Sequence, residues 1–324
     1  MSSIYIYSPS GAVRDKAAFK RGVKRLSALG HQVQVDPSAL LGFERFAGED
    51  KERTEAIERA ASSGADVAMI TRGGYGLSRI LPRLPYKKIA KAIKQGTKFV
   101  GLSDYTAFQM ATFAKTGAVT WAGPAVISDF GADDEPSEIT ELCFEDLVTG
   151  RGEGTGWRVK SALGKELFAQ TLRGKKNLAL EGSMLWGGNL SMICSLIGTD
   201  FFPHIESGIL FLEDVAEHPY RVERMLLQLH HAGVLARQKA IILGSFTDFK
   251  LTPHDKGYGL KSVFKLLSEL VRVPVICDLP FGHTHQKICL PFGEPVTLAS
   301  EGQDVFLFWN SNHHHADESH HAHQ

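Results

Sequence analysis

Through Pro124 the chain alternates short apolar runs with amphipathic helical stretches, and this alternation constrains the fold more than any other feature. Residues 4–7, 33–35, 66–71, 98–102 and 119–122 read as strands. Between them, Phe19, Val23 and Leu26 make a helical stripe closed near Gly30, a glycine suited to the position just past a helix end. Residues 49–63 form a charged, alanine-rich helix, and residues 86–95 another. Strands alternating with helices imply parallel βαβ units, whose ligands sit at the carboxyl ends of strands.

Two of those strand ends carry chemistry. The first runs into Arg72-Gly73-Gly74-Tyr75-Gly76 before a short helix at Leu77. Its glycines let the backbone take positive φ, and free amides there can hold an anion or a developing oxyanion. A plain tight turn is the alternative, and the loop is neither a Walker loop nor a G-x-G-x-x-G fingerprint. The second is Gly101-Leu102-Ser103-Asp104-Tyr105, followed by Ala107, Met110, Ala111 and Ala114 at helical spacing. Ser103 can cap that helix or expose its hydroxyl as a nucleophile. The second glycine of a hydrolase elbow is missing, because Tyr105 stands there.

Composition narrows the function. The 324 residues can bury a large core and suggest two domains. Lys+Arg and Asp+Glu each total 36, which argues against a nucleic-acid binder. The N-terminus reads as a first strand and not a signal peptide, and no apolar run is long enough to span a bilayer. Cys143, Cys194, Cys277 and Cys289 are far apart with no CxxC, so each reads as a small buried hydrophobe in a reduced, cytoplasmic protein.

We expect an N-terminal parallel-sheet α/β domain over 1–130, a connection over 131–175, and a smaller mixed α/β domain over 176–310. Within the connection, 139–147 reads as a helix and 166–172 as a polar strand. Residues 311–324 form a tail with six histidines in 313–323, expected to be disordered and without a specific metal site. In the second half, residues 178–185 read as a strand leading into Trp186-Gly187-Gly188-Asn189 and a helix. A strand at 209–212 delivers Glu213-Asp214, and one at 273–276 leads to Pro280-Phe281-Gly282-His283. The last strands read as mostly antiparallel.

Ser103, Glu213 and His283 thus all stand at strand ends. A serine needs an imidazole to take its proton and a carboxylate to orient that imidazole. The bland alternatives are a helix cap or ion pair for Glu213 and a turn hydrogen bond for His283. His285 is a rival base two residues away. No HExxH occurs, so a metallopeptidase is disfavoured.

The glycine loop with Arg79, Leu81 and Pro82 resembles the signature of LD-carboxypeptidases, also called muramoyltetrapeptide carboxypeptidases. The likeness continues through Phe46-Ala47-Gly48 with Arg53, Gly101 to Ala107, and Trp186 to Leu190. It extends over Ser195 to Thr199, Leu210 to Val215, Pro219-Tyr220-Arg221, Pro280 to His283 and Leu290 to Gly293, nearly the whole chain. The resemblance implies a Ser103–Glu213–His283 triad split between two domains, with the site in the cleft. It implies an oxyanion hole from the backbone amides of Asp104 and Gly74. The implied reaction releases D-alanine from peptidoglycan tetrapeptides in cytoplasmic recycling, through an acyl-enzyme, with no metal and no cofactor. A homodimer is implied as well. Arg72 is a candidate for the substrate carboxylate, and Trp186 and Asn189 are candidates for the cleft lining, against core packing for Trp186 and a helix cap for Asn189. An immunity-type branch of the same family would take a peptide–nucleotide or acyl-amino-acid conjugate instead. A peptide-binding protein without turnover is the non-enzymatic alternative.

Overall fold

The structure, a computed structural model, describes residues 1–309 apart from Arg173 and Lys175. The histidine-rich tail therefore lies outside the described residues. Among the described residues, thirteen strands follow in chain order: β1 (Ser3–Tyr7), β2 (Gln32–Val35), β3 (Val67–Ile70), β4 (Lys98–Gly101), β5 (Thr120–Ala122), β6 (Gly154–Arg158), β7 (Ala179–Asn189), β8 (Gly208–Val215), β9 (Gln238–Thr247), β10 (Val275–Ile276), β11 (Leu290–Phe292), β12 (Glu294–Glu301) and β13 (Asp304–Phe308). They form two sheets, one of six strands in the order β11-β5-β4-β3-β1-β2 and one of seven in the order β10-β9-β8-β7-β12-β13-β6. The expected α/β architecture is present, with an N-terminal sheet that is parallel from β5 to β2.

The central strands β3 and β1 are apolar almost throughout because helices cover both faces of a parallel sheet. Ile4, Ile6, Val67, Met69 and Val100 point into one apolar layer, and Tyr5, Tyr7, Ala68, Ile70 and Phe99 into the other. This alternation is the two-residue period of a strand. The helix Lys16–Ala28 ends as its sequence suggests: Leu29 is the cap and Gly30 follows at φ +91°.

Three expectations need correction. First, the segment 131–175, expected as a connection with a helix over 139–147, packs against both sheets. The helix Glu138–Thr149 buries Phe144, Leu147 and Val148 against the N-terminal sheet, while β6 pairs with β13 at the edge of the second sheet. Second, 166–172 is not a strand but part of the helix Ala162–Leu172. Gly164, Leu167 and Phe168 share its buried face at helical spacing, and the Ser161 hydroxyl accepts from the Gly164 amide at 3.0 Å as a cap. Third, the N-terminal sheet is completed from the far end of the chain. β11 pairs antiparallel with β5, Leu290 opposite Ala122, so the two halves share a strand edge. That exchange matters for the site, because β11 follows directly on the segment carrying His283. No helix among the described residues is long and apolar enough to cross a membrane.

Candidate active site

Ser103 sits where β4 passes into the helix Tyr105–Thr116, and it adopts φ +67°. Left-handed backbone at a non-glycine residue is strained and is found where a side chain must be aimed. The hydroxyl does not cap the helix: Asp104 is the capping residue and makes no side-chain capping bond. Tyr105 is accommodated because its ring turns inward over Gly101, where a Cβ would stand 2.7 Å from it. There the ring stacks on Phe108 with centroids 4.8 Å apart, and its hydroxyl meets that of Tyr7 at 3.1 Å. The missing elbow glycine is thus replaced by an aromatic packed into the core.

The glycine loop lies directly against the serine. A Cβ at Gly73 would fall 2.7 Å from the Ser103 Cβ and 2.9 Å from its Oγ. Gly73→Ala should therefore displace the Ser103 side chain and lower kcat/KM about 100-fold. Steady-state kinetics beside a melting curve would check this, and wild-type rates would contradict the placement. Buried Asp104 locks the loop: its carboxylate accepts from the Leu77 amide at 2.9 Å and from the Ser10 hydroxyl. Burial pushes its pKa up, against those hydrogen bonds. Beneath the loop, buried Arg53 donates to the carbonyls of Gly76 at 2.8 Å and Pro9 at 3.1 Å. Gly74 has φ +115°, and among the described residues neither its amide nor that of Asp104 has a protein acceptor.

The second domain supplies the acid and the imidazole. Glu213, wholly buried near the end of β8, accepts from His283 Nδ1 at 2.8 Å through Oε2. Gly282, at φ +134°, lets His283 come this close, since a Cβ there would lie 3.2 Å from Glu213 Oε2. Burial alone would lower the His283 pKa; the Glu213 hydrogen bond and charge outweigh it and leave the imidazole raised above its ordinary value. His285 is exposed and offers only its backbone carbonyl, to Thr140. Of the two rival bases, the fold gives an acid partner to His283.

A hydrogen-bonded path joins the halves. Thr106, in the first turn after Ser103, accepts from the Asn189 amide at 3.0 Å. Asn189 Nδ2 donates to Glu213 Oε1 at 3.2 Å and to Asp214 Oδ1 at 2.9 Å. Gly188 makes this docking possible, because a Cβ there would come within 2.5 Å of Thr106 Oγ1. Asn189 is therefore a helix cap, accepting from the Met192 amide at 3.1 Å, and also a hydrogen-bond donor to Glu213, with its side chain buried. A second tie crosses behind His283. Buried Lys287 meets buried Asp129, which follows β5, at 2.5 Å. Thr106 lies within the Gly101 to Ala107 motif, though without a role assigned from sequence; no local sequence signal gave Lys287 or Asp129 a role.

Two further candidates are placed as follows. Trp186 does not line the cleft. It is buried in the second domain, where Nε1 donates to Gln238 at 2.8 Å and the ring meets Phe202 edge-on. Arg72 is half-buried beside the glycine loop and donates to the Ala12 carbonyl at 3.2 Å. Among the described residues, no group of histidine, cysteine and acidic side chains could hold a metal ion.

Comparison with known proteins decides the family. Residues 4–123 match the LD-carboxypeptidase N-terminal domain, and residues 182–298 match the LD-carboxypeptidase C-terminal domain. The chain belongs to the LD-carboxypeptidase family. Among its LD-carboxypeptidase relatives, the muramoyltetrapeptide carboxypeptidase of Oxalobacter formigenes has been solved. It is 38% identical, superposes with a TM-score of 0.80, and the match covers 94% of this chain and 98% of that one. The murein tetrapeptide carboxypeptidase of Pseudomonas aeruginosa is 30% identical over 263 residues, 79% of this chain and 80% of that protein. The microcin C7 self-immunity protein MccF of Escherichia coli is 29% identical over 323 residues, 93% of this chain and 90% of that protein. LD-carboxypeptidase membership and the two-sheet α/β fold were both legible in the motifs.

Proposed function

We propose that this chain is a serine carboxypeptidase that releases the terminal D-alanine from peptidoglycan tetrapeptides during cytoplasmic recycling. The observation that carries this reading is the 2.8 Å Glu213–His283 pair, linked through Asn189 and Thr106 to the helix that Ser103 opens. Ser103 Oγ attacks the carbonyl of the last peptide bond while His283 Nε2 takes its proton. Glu213, bonded to Nδ1, fixes the tautomer and stabilises the imidazolium. The amides of Asp104 and Gly74 receive the developing oxyanion; a preorganised donor of this kind is worth about 10²–10³ in rate. His283 then protonates the leaving amine of D-alanine, and water hydrolyses the acyl-enzyme. The reading calls on neither a metal nor a cofactor.

The test is mass spectrometry of tetrapeptides carrying diaminopimelate or lysine at the third position, before and after incubation with the purified protein. Loss of one alanine from either supports the reading. The likeness to MccF favours a second one, in which the same machinery cleaves a peptide–nucleotide or acyl-amino-acid conjugate. Cleavage of a conjugate, with the tetrapeptides untouched, selects it.

A further inference from the structure

We infer that Lys287 and Asp129 are positioning residues for His283, which make the placement of the base depend on the docking of the two halves; this rests on the triad reading above. His283 lies in a loop closed on itself, where the Ile288 amide donates to the Pro280 carbonyl at 3.0 Å. The two legs of that loop belong to different halves. The entering leg is fixed to β9: the Leu279 amide donates to the Leu243 carbonyl at 3.2 Å, and the Phe281 carbonyl accepts from the Ser245 amide at 2.9 Å. The leaving leg is fixed to the N-terminal half. The Lys287 amide donates at 2.9 Å to Thr140 Oγ1, on the helix Glu138–Thr149, and β11 then joins the first sheet beside β5.

Lys287 braces this loop from within. Its ammonium donates across the loop to the carbonyl of Thr284, the residue after the imidazole, at 3.4 Å, and meets Asp129 Oδ1 at 2.5 Å. Asp129 is set independently of the lysine: its Oδ2 accepts from the Ala125 amide and from the Ser128 hydroxyl, each at 2.8 Å. The turn that carries it, Val126–Phe130, is bonded through the Ile127 amide to the Thr71 carbonyl at 2.9 Å. Thr71 immediately precedes Arg72 and Gly73, and Gly73 is pressed against Ser103. The pair therefore ties the loop of the imidazole to the segment that backs the nucleophile.

Both side chains of the pair are 2% exposed. Charges so buried are weakly screened, and removing one partner leaves the other unpaired. Side chains this deep act on a substrate only through the residues that they hold. The charge acts along with the geometry. Burial and the Lys287 ammonium lower the His283 pKa, while Glu213 and Asp214, both on β8, raise it. Asp129, from the first half, offsets the ammonium.

The test is a pH profile of Lys287→Met, Asp129→Asn and the double substitution, read both as D-alanine release and as the rate at which a fluorophosphonate labels Ser103. Each single substitution should lower kcat about tenfold or more with KM within about twofold of wild type, because a displaced base costs rate and not binding. The acid limbs of kcat/KM should part: without the ammonium the limb moves to higher pH, and without the Asp129 charge it moves to lower pH. The double substitution leaves no unpaired buried charge, so it keeps the test available if a single variant does not fold. Its limb should return to the wild-type position while kcat stays low. Limbs that stay together in the single variants, or a double variant with wild-type kcat, overturn the inference. Labelling of Ser103 in a wild type that releases no D-alanine removes the peptidase reading alone, and the same limb shifts in the labelling rate then judge the pair. A wild type never labelled at Ser103 removes both.

Discussion

Replacing Ser103 with alanine should lower D-alanine release by about 10⁴-fold or more, toward the rate left by binding and the oxyanion donors alone. A second substitution separates chemistry from structure. Ser103 holds φ +67°, a conformation costing a non-glycine residue about 1–3 kcal/mol. Alanine keeps that strain and glycine does not, although glycine loses about 0.5–1 kcal/mol through the freedom of its unfolded chain. Ser103→Gly should therefore be as inactive as Ser103→Ala yet more stable by about 1 kcal/mol. Denaturant midpoints measured on both variants check it. If Ser103→Ala is the more stable, the backbone at this corner is not strained as described. If either variant keeps wild-type turnover, the nucleophile lies elsewhere.

Glu213→Gln should cost about 10⁴ in kcat, because a neutral amide can present a donor to Nδ1 and select the wrong imidazole tautomer. The pH profile adds a signed expectation. The base works neutral, so activity is lost as pH falls through the His283 pKa. Burial lowers that pKa, Glu213 raises it most, Lys287 lowers it and Asp214 raises it. Removing the Glu213 charge leaves burial dominant, so the acid limb of kcat/KM should move to lower pH in whatever activity remains. A limb that stays in place, or moves up, would show that Glu213 does not set the imidazole.

Ser103 and the glycine loop follow strand ends and Glu213 stands near the end of β8, and local pattern marks such positions as candidates. His283 lies in the segment between β10 and β11, and was singled out only as the imidazole that a serine and an acid would need. What local pattern cannot carry is partnership across the chain. β6 and β11 are short, and each joins a sheet only because β13 and β5 offer edges far away in sequence. Nothing near residue 290 announces that it completes the first sheet. Trp186 carried no sign of facing inward rather than into the cleft, since its partner Gln238 is 52 residues on. Residues 166–172 of the helix Ala162–Leu172 were misread as a polar strand because so short a stretch has no decisive period; its buried positions settle the matter only once seen. Asp104, Thr106, Asn189 and Lys287 hold the site together by long-range contacts, and their types alone were compatible with ordinary caps and surface charges.

That arrangement implies a cooperative site. Thr106 and Asn189 connect the serine's helix to the acid, and Lys287–Asp129 anchors the segment bearing the imidazole to the first domain. The two sheets dock closely at Gly188, where a Cβ would come within 2.5 Å of Thr106 Oγ1.

The most direct measurement is active-site labelling with a fluorophosphonate, followed by digestion and mass spectrometry to locate the adduct. The account predicts one stoichiometric label on Ser103, lost in Ser103→Ala and slowed in Glu213→Gln. A label on another residue, or none in protein that still releases D-alanine, would contradict it.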